Sequence, residues 1–264
     1  MKISFVTPTY NRADLLIETI GSILESVDFV SGLDYELIVV DDASSDDTQE
    51  VLSKKYPVLI RDGVVIYDRL SINVGVTGAK NRGVELASGD WIVFIDSDDL
   101  LIPGMFGRMV AIIKKRADID LFFFSCETFE GQRLGESFES GEISLSDYIN
   151  KGTYGEKLPV IKRELALSFP YEESLRGFES IAYVRILLSG YRCWVDNLIC
   201  RRYRLDNSDR LSTKTAIFRR AGRLASGYRI LKSEFENRQH RVPKKYLLKM
   251  YLYTAVNFFV GKNV

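Results

Sequence analysis

The stretch WIVFIDSDDL, residues 91–100, constrains the fold of this chain more than any other. Residues 91–95 are apolar without interruption, the pattern of a strand buried on both faces, as in a parallel sheet. The run then breaks into Asp96, Asp98 and Asp99. A buried strand that opens onto clustered acids puts carboxylates at the carboxyl edge of a sheet, where open α/β sheets bind their ligands. Mg²⁺ is held by one or two carboxylates together with substrate phosphates. The alternative is a plain acidic turn, since Asp and Ser are ordinary turn residues.

The flanking sequence supports an α/β sheet. Strand signals at residues 3–6, 36–40, 64–67 and 119–124 alternate with helical ones. Leu16, Ile20, Ile23 and Leu24 recur at helical spacing, residues 48–55 and 77–87 read as further helices, and Pro103 is placed to open another. Ser44 and Asp47 have the spacing of a capping box. Strand and helix in alternation imply a Rossmann-like, mostly parallel sheet covered by helices, with right-handed crossovers. Residues 128–160 are richer in Gly, Ser and Glu and read as a loop or hairpin region with one short helix. A helix over 178–188 and a strand over 194–203 follow, then two helices from Thr213 separated near residues 241–243.

Composition narrows the setting. No opening segment has the layout of a signal peptide and no uncharged apolar run is long enough to span a bilayer, so a fold starting near Ile3 in the cytoplasm is expected. Cys126, Cys193 and Cys200 lack metal-ligand spacing and read as buried free thiols. His240 is the only histidine, which excludes mechanisms needing two, and a surface position is expected for it. The formal net charge of zero hides a polarity: from Arg201 onward there are 16 Lys+Arg against 4 Asp+Glu. With apolar and aromatic residues interleaved, that basic end reads as an anionic membrane surface contact, or as a solvated helical face.

Three strand ends carry polar groups that a core would not choose. The first runs into Thr7, Pro8, Thr9, Tyr10, Asn11 and Arg12, the second into Asp41 and Asp42, the fourth into Asp96–Asp99. In a parallel sheet these ends converge on one crevice. A diphosphate there needs a cation, backbone donors near helix starts and a pocket for its base. The absence of GxGxxG after the first strand argues against a nicotinamide cofactor.

The motifs TPTYNR (7–12), VVDDASSDDT (39–48), NVGVTGAKNRGVELASGDWIVFIDSDD (73–99) and FESIAYVRILLSGY (178–191) together resemble the family-2 inverting glycosyltransferases of GT-A fold. The resemblance implies that Thr7, Pro8 and Tyr10 line a nucleobase pocket with Arg12 beside it, and that Asp42 accepts the uracil N–H. It implies Lys80 near the nucleotide, where the family usually has arginine, with Asp41 as a positioning residue. Asp96 and Asp98 match the Asp-x-Asp pair. The first helps to hold the ribose and the second binds Mg²⁺ or Mn²⁺, with Asp96 and Asp206 as further candidate ligands. Asp99 caps or orients the turn. Glu179 falls where the family places its base, commonly an aspartate preceded by another acid, and here it follows Phe178. Glu172 and Glu173 are the alternatives. Asp206 stands where relatives often have a histidine, as a hard oxygen ligand or a solvent-exposed acid, and Arg204 offsets the diphosphate or pairs with an acid.

The resulting expectation is a metal-dependent transferase moving a sugar from a nucleotide sugar, a UDP-sugar first, to a glycan or lipid-linked saccharide acceptor in surface-polysaccharide or glycolipid synthesis. No nucleic-acid partner is expected. Residues 1–212 are read as the catalytic domain, with a donor half (1–100) and an acceptor half (101–212). Residues 213–264 are read as a basic helical extension, peripheral on the inner face of the membrane. A nucleotidyltransferase, or a nucleotide-sugar-binding protein without turnover, is the alternative.

Overall fold

The computed structural model describes residues 1–28, 30–205 and 221–260. In chain order the first half runs β1 (Lys2–Thr9), α1 (Ala13–Asp28), β2 (Asp34–Asp41), α2 (Thr48–Lys55), α3 (Pro57–Arg61), β3 (Val65–Arg69), α4 (Gly75–Leu86) and β4 (Trp91–Phe94). It continues through β5 (Leu100–Leu101), α5 (Met105–Lys115), β6 (Leu121–Glu127), β7 (Gly141–Ile143), α6 (Leu145–Lys151), β8 (Lys157–Lys162), α7 (Arg163–Ser168), α8 (Ser180–Leu188) and β9 (Cys193–Arg202). Two long helices close it, α9 (Ala221–Asn237) and α10 (Lys244–Val260).

The strands form one sheet in the order β3-β2-β1-β4-β8-β6-β9-β5, with β7 on β9. The β3-β2-β1-β4 half is wholly parallel. Apolar cores lie on both faces. Ile3, Phe5, Ile20 and Phe106 belong to one, while Val6, Val40, Phe123 and Tyr183 belong to the other. Burial on both faces is why these strands read as continuous apolar runs. Helix α4 lies close against β1 and β2 at Gly83, where an added Cβ would stand 2.3 Å from Val6 Cγ1.

Two sequence expectations change. Residues 128–160, read as a loop or hairpin region with one short helix, hold that helix as α6 and the short strand β7, but they also lead into β8, a central strand antiparallel to both β4 and β6. Gly and Ser before Lys157 obscured a strand whose own residues, KLPVIK, are apolar between two lysines. The Ser44–Asp47 capping box is absent. Asp47 makes no side-chain cap on α2, and Ser44 Oγ instead accepts the Asn11 N–H at 2.9 Å. Helix α5 starts just after Pro103, the three cysteines are buried and free, and His240 is exposed.

At the sheet edge opposite the strand carboxyl ends, Glu36 holds β1, β2 and the turn before β4 together. Its carboxylate accepts from Ser4 Oγ (2.6 Å), Ser88 N (2.6 Å) and Ser88 Oγ (2.8 Å) and pairs with Lys2 Nζ at 2.7 Å. Burial alone would raise its pKa, but those hydrogen bonds win and bring it down from 4.5 to about 2. A carboxyl lowered on folding contributes stability above its unfolded value, and that contribution is lost as pH falls from about 4.5 to about 2. The expected size is at most about 3 kcal/mol. Thermal unfolding of Glu36→Gln against wild type should show a large deficit at pH 7 that closes toward pH 2. A deficit independent of pH would refute the assignment.

Candidate active site

The carboxyl ends of β1, β2 and β4 open onto one crevice of about 1060 Å³. Pro8, Tyr10, Arg12, Asp42, Lys80, Asp96, Asp98 and Glu179 all line it. Thr7 is buried inside β1, just below the rim. Convergence follows from topology: β1 lies between β2 and β4, so the turn at residues 9–12 sits between Asp42 and Asp96.

That turn is held by Asn11, which adopts a left-handed backbone (φ 51°) that asparagine tolerates. Its Oδ1 accepts the Ser45 N–H at 2.7 Å, tying the end of β1 to the loop after β2. Asp41 is turned to bracing work. It accepts from Tyr67 Oη (2.5 Å) and Ser44 N (2.7 Å). Asp42 points the other way and accepts Val74 N (2.7 Å) and Gly75 N (2.9 Å) at the start of α4. Burial raises the Asp42 carboxyl, and those N–H donors and Arg176 partly offset it. Each Asp42 oxygen keeps a lone pair for a further donor.

On the far side of the turn, Arg12 Nη1 reaches Asp98 Oδ2 at 2.7 Å, so this guanidinium pairs with an acid at the crevice. The Asp98 carboxyl is raised by burial and by repulsion from Asp96, with Arg12 opposing. Asp99 turns inward: its Oδ1 accepts Arg204 N at 3.1 Å, and its Oδ2 lies 3.2 Å from Arg201 Nη1. Arg204 also reaches Glu18 at 2.9 Å, the structural pairing that was one of its two expected roles.

Lys80 is the hub. Only 8% exposed, its Nζ stands 3.0 Å from Asp96 Oδ1 and 4.0 Å from Glu179 Oε1. Burial would pull the ammonium down, but Asp96 and Glu179 together push it above the ordinary lysine value. Asp96 responds in kind: burial would raise it, and Lys80 and Arg201 bring it below the ordinary value. Glu179 stands just before α8, and its side chain makes no helix cap. Phe178 anchors it by packing on α9, where a Cβ on Gly227 would lie 2.6 Å from the ring. Glu172 pairs with Arg185 at 2.6 Å and Glu173 lies 3.3 Å from Asn81 Nδ2. Neither lines the crevice.

Among the described residues no group of three or more His, Cys, Asp or Glu forms a ready cation cage. Two acids at one rim, one of them raised by the other, still fit a cation that takes its remaining ligands from phosphate and water. Asp206 lies outside the described residues. Several lining residues escaped the sequence reading: Asn73, Lys157, Arg176 and Tyr183. Arg176 is followed by Gly177 at φ 86°, and that Arg-Gly pair ahead of Glu179 was the available signal of a turn at the site.

The glycosyl transferase family 2 profile matches residues 4–160, more than half of the chain. The chain belongs to that family. The GalNAc(5)-diNAcBac-PP-undecaprenol beta-1,3-glucosyltransferase of Campylobacter jejuni is 29% identical over 274 residues, covering 99% of this chain and 84% of that protein. Residues 1–349 of S. aureus TarS in complex with UDP superpose with a TM-score of 0.69 at 19% identity, over 98% of this chain and 72% of that one. The mannosyltransferase PcManGT of Pyrobaculum calidifontis, solved with GDP-Man and Mn²⁺, gives 0.63 at 18% identity over 98% and 75%. The fold is GT-A, with helices after the sheet, and the nucleotidyltransferase alternative falls away. This family-2 member is a glycosyltransferase by family and by fold.

Proposed function

We propose that this family-2 transferase is cation-dependent, takes a UDP-sugar as donor and transfers the sugar with inversion to a hydroxyl of a glycan or lipid-linked saccharide. The observation that carries this reading is the shared wall: Lys80 lies between Asp96 of the donor rim and Glu179 of the acceptor side. Asp42 supplies an acceptor for a base N–H, and Tyr10, 47% exposed at the rim, supplies a ring for stacking. Asp98, with Asp96 beside it, would hold Mg²⁺ or Mn²⁺. When bound, such an ion offsets the negative charge that develops on the leaving diphosphate. Glu179 takes the proton from the acceptor hydroxyl as it attacks the face opposite the diphosphate. Lys80 keeps both carboxylates at one wall, and Thr7 and Pro8 shape the floor beneath the base.

A panel of UDP-glucose, UDP-GlcNAc and GDP-mannose, each with Mg²⁺, Mn²⁺ or EDTA, tests this. Release of UDP that stops with EDTA supports the reading. Release from GDP-mannose alone, or release unaffected by EDTA, overturns it.

The same reading puts the enzyme at an anionic membrane surface, as a basic, peripheral extension at residues 213–264. Among the described residues no helix is long and apolar enough to cross a membrane. Helix α10 is apolar on two sides. Tyr246 and Met250 are buried, and Tyr246 packs on Phe235 of α9. Leu248 (71% exposed), Tyr251 (65%) and Leu252 (54%) form a second stripe facing outward. The ordinary core role therefore accounts for one face only. Exposed Lys244, Arg223 and Arg229 give nearby charge for anionic headgroups, each contributing about 1 kcal/mol when close. Wild type should co-sediment with phosphatidylglycerol vesicles, less so as salt rises. Leu248→Glu with Tyr251→Glu should abolish that binding while donor turnover persists. Wild type remaining in the supernatant at low salt would defeat the proposal.

A further inference from the structure

Lys157 opens β8 and lines the acceptor side of the crevice, with Tyr148, Thr153 and Glu156 around it. It is 6% exposed, yet among the described residues no carboxylate lies within ion-pair distance of it. Its Nζ has two long contacts, to the carbonyls of Tyr154 and Glu156, each 3.4 Å, and stands 5.1 Å from the Phe138 ring centroid. The adjacent acid in the chain is already taken: Glu156 Oε1 is 2.9 Å from Arg201 Nη2, and Arg201 also pairs with Asp99. Arg133 adds to the local positive charge felt by Lys157, and its buried Nη1 has no hydrogen-bond partner. A buried cation without a counter-charge is costly, so such groups normally have one.

The surroundings hold Lys157 firmly. Gly135 (φ 110°) and Gly155 (φ 118°) meet backbone to backbone, and a Cβ on Gly135 would fall 1.9 Å from the Tyr154 carbonyl oxygen. The Tyr154 ring stacks on Phe138 with centroids 4.8 Å apart. Lys157 is thus held in place by its neighbours, in the lining of the same crevice that Asp42 enters.

We propose that Lys157, with Arg133 behind it, binds a phosphate carried by the acceptor. This rests on the transferase reading above and names the chemistry of its second substrate. The phosphate has two possible origins, a phosphodiester within a polymer or the diphosphate of a lipid-linked saccharide, and either offers the oxyanion that this wall lacks.

Calorimetry on the full chain saturated with UDP tests this, with glucose 6-phosphate against glucose as probes. The phosphorylated sugar should bind at least about 10-fold more tightly, as a charge-assisted contact implies. Lys157→Met, which removes a buried charge at similar volume, should erase that preference, and Arg133→Met should weaken it. Glycerophosphoglycerol and geranyl diphosphate, compared in the same way, name the origin: the tighter of the two identifies a phosphodiester or a lipid diphosphate. UDP affinity, measured separately, reports on the donor site alone, so its loss would count against the donor assignment and not against this wall. Equal binding of glucose and glucose 6-phosphate overturns the proposal. So does a phosphate preference that survives Lys157→Met, because the anion then sits at the diphosphate site.

Discussion

Asp98→Ala is expected to lower cation-supported sugar transfer by at least about 10³-fold, the loss that follows from removing the anchor of a Lewis acid. The side chain is 13% exposed at the crevice rim and pairs with Arg12, which is itself 29% exposed. Removing it therefore leaves no charge stranded in the core, and the thermal midpoint should move by only a few degrees. The effect must also depend on the cation. UDP affinity should fall in Mg²⁺ or Mn²⁺ and stay near wild type in EDTA. An Asp98→Ala enzyme that retains turnover, or loses UDP affinity equally in EDTA, would show that Asp98 serves Arg12 and the turn rather than a metal.

Much of this site was legible because strand ends in a parallel sheet converge whatever lies between them. The apolar runs into Asp42 and Asp96 predicted both the sheet and the crevice, and the structure brings those acids to one cavity. Pairings within the cavity were less legible. Nothing in TPTYNR says that Arg12 turns toward Asp98, and nothing near Lys80 says that it lies between Asp96 and Glu179. Those contacts depend on how strands order in the sheet. Strand β8 was obscured for a related reason: it enters between β4 and β6 from a glycine-rich stretch, and its partners are distant in sequence. The Ser44–Asp47 spacing misled because a capping box is a local device. Here Ser44 was recruited by Asn11, more than thirty residues earlier. The C-terminal helices were found by periodicity, but which of their faces would be covered was a matter of packing. The division of the chain at residue 212 falls outside the described residues.

Glu179→Gln is expected to cut transfer by about 10²-fold or more while leaving UDP affinity within about twofold, the pattern of losing a general base and not a binding contact. The amide keeps size and hydrogen bonding and removes only the basic oxygen. Two alternatives compete on chemistry, Glu172 and Glu173, and the structure separates them by occupation. Glu172 is committed to Arg185, which also holds Glu234 at 2.8 Å, so Glu172→Gln should lower the melting temperature and leave the rate per folded molecule within a few-fold. Glu173 reaches Asn81 and lies outside the crevice lining. Glu179 is 26% exposed, makes no helix cap and faces Lys80 across 4.0 Å. Its position is thus fixed by Phe178 against α9, and Glu179 itself lines the crevice. Glu179→Asp, one methylene shorter, should recover part of the lost rate, which a purely structural helix-start residue would not show. A silent Glu179→Gln beside an inactive Glu172→Gln of unchanged stability would shift the base to the residues before α8 and with it the direction from which the acceptor attacks.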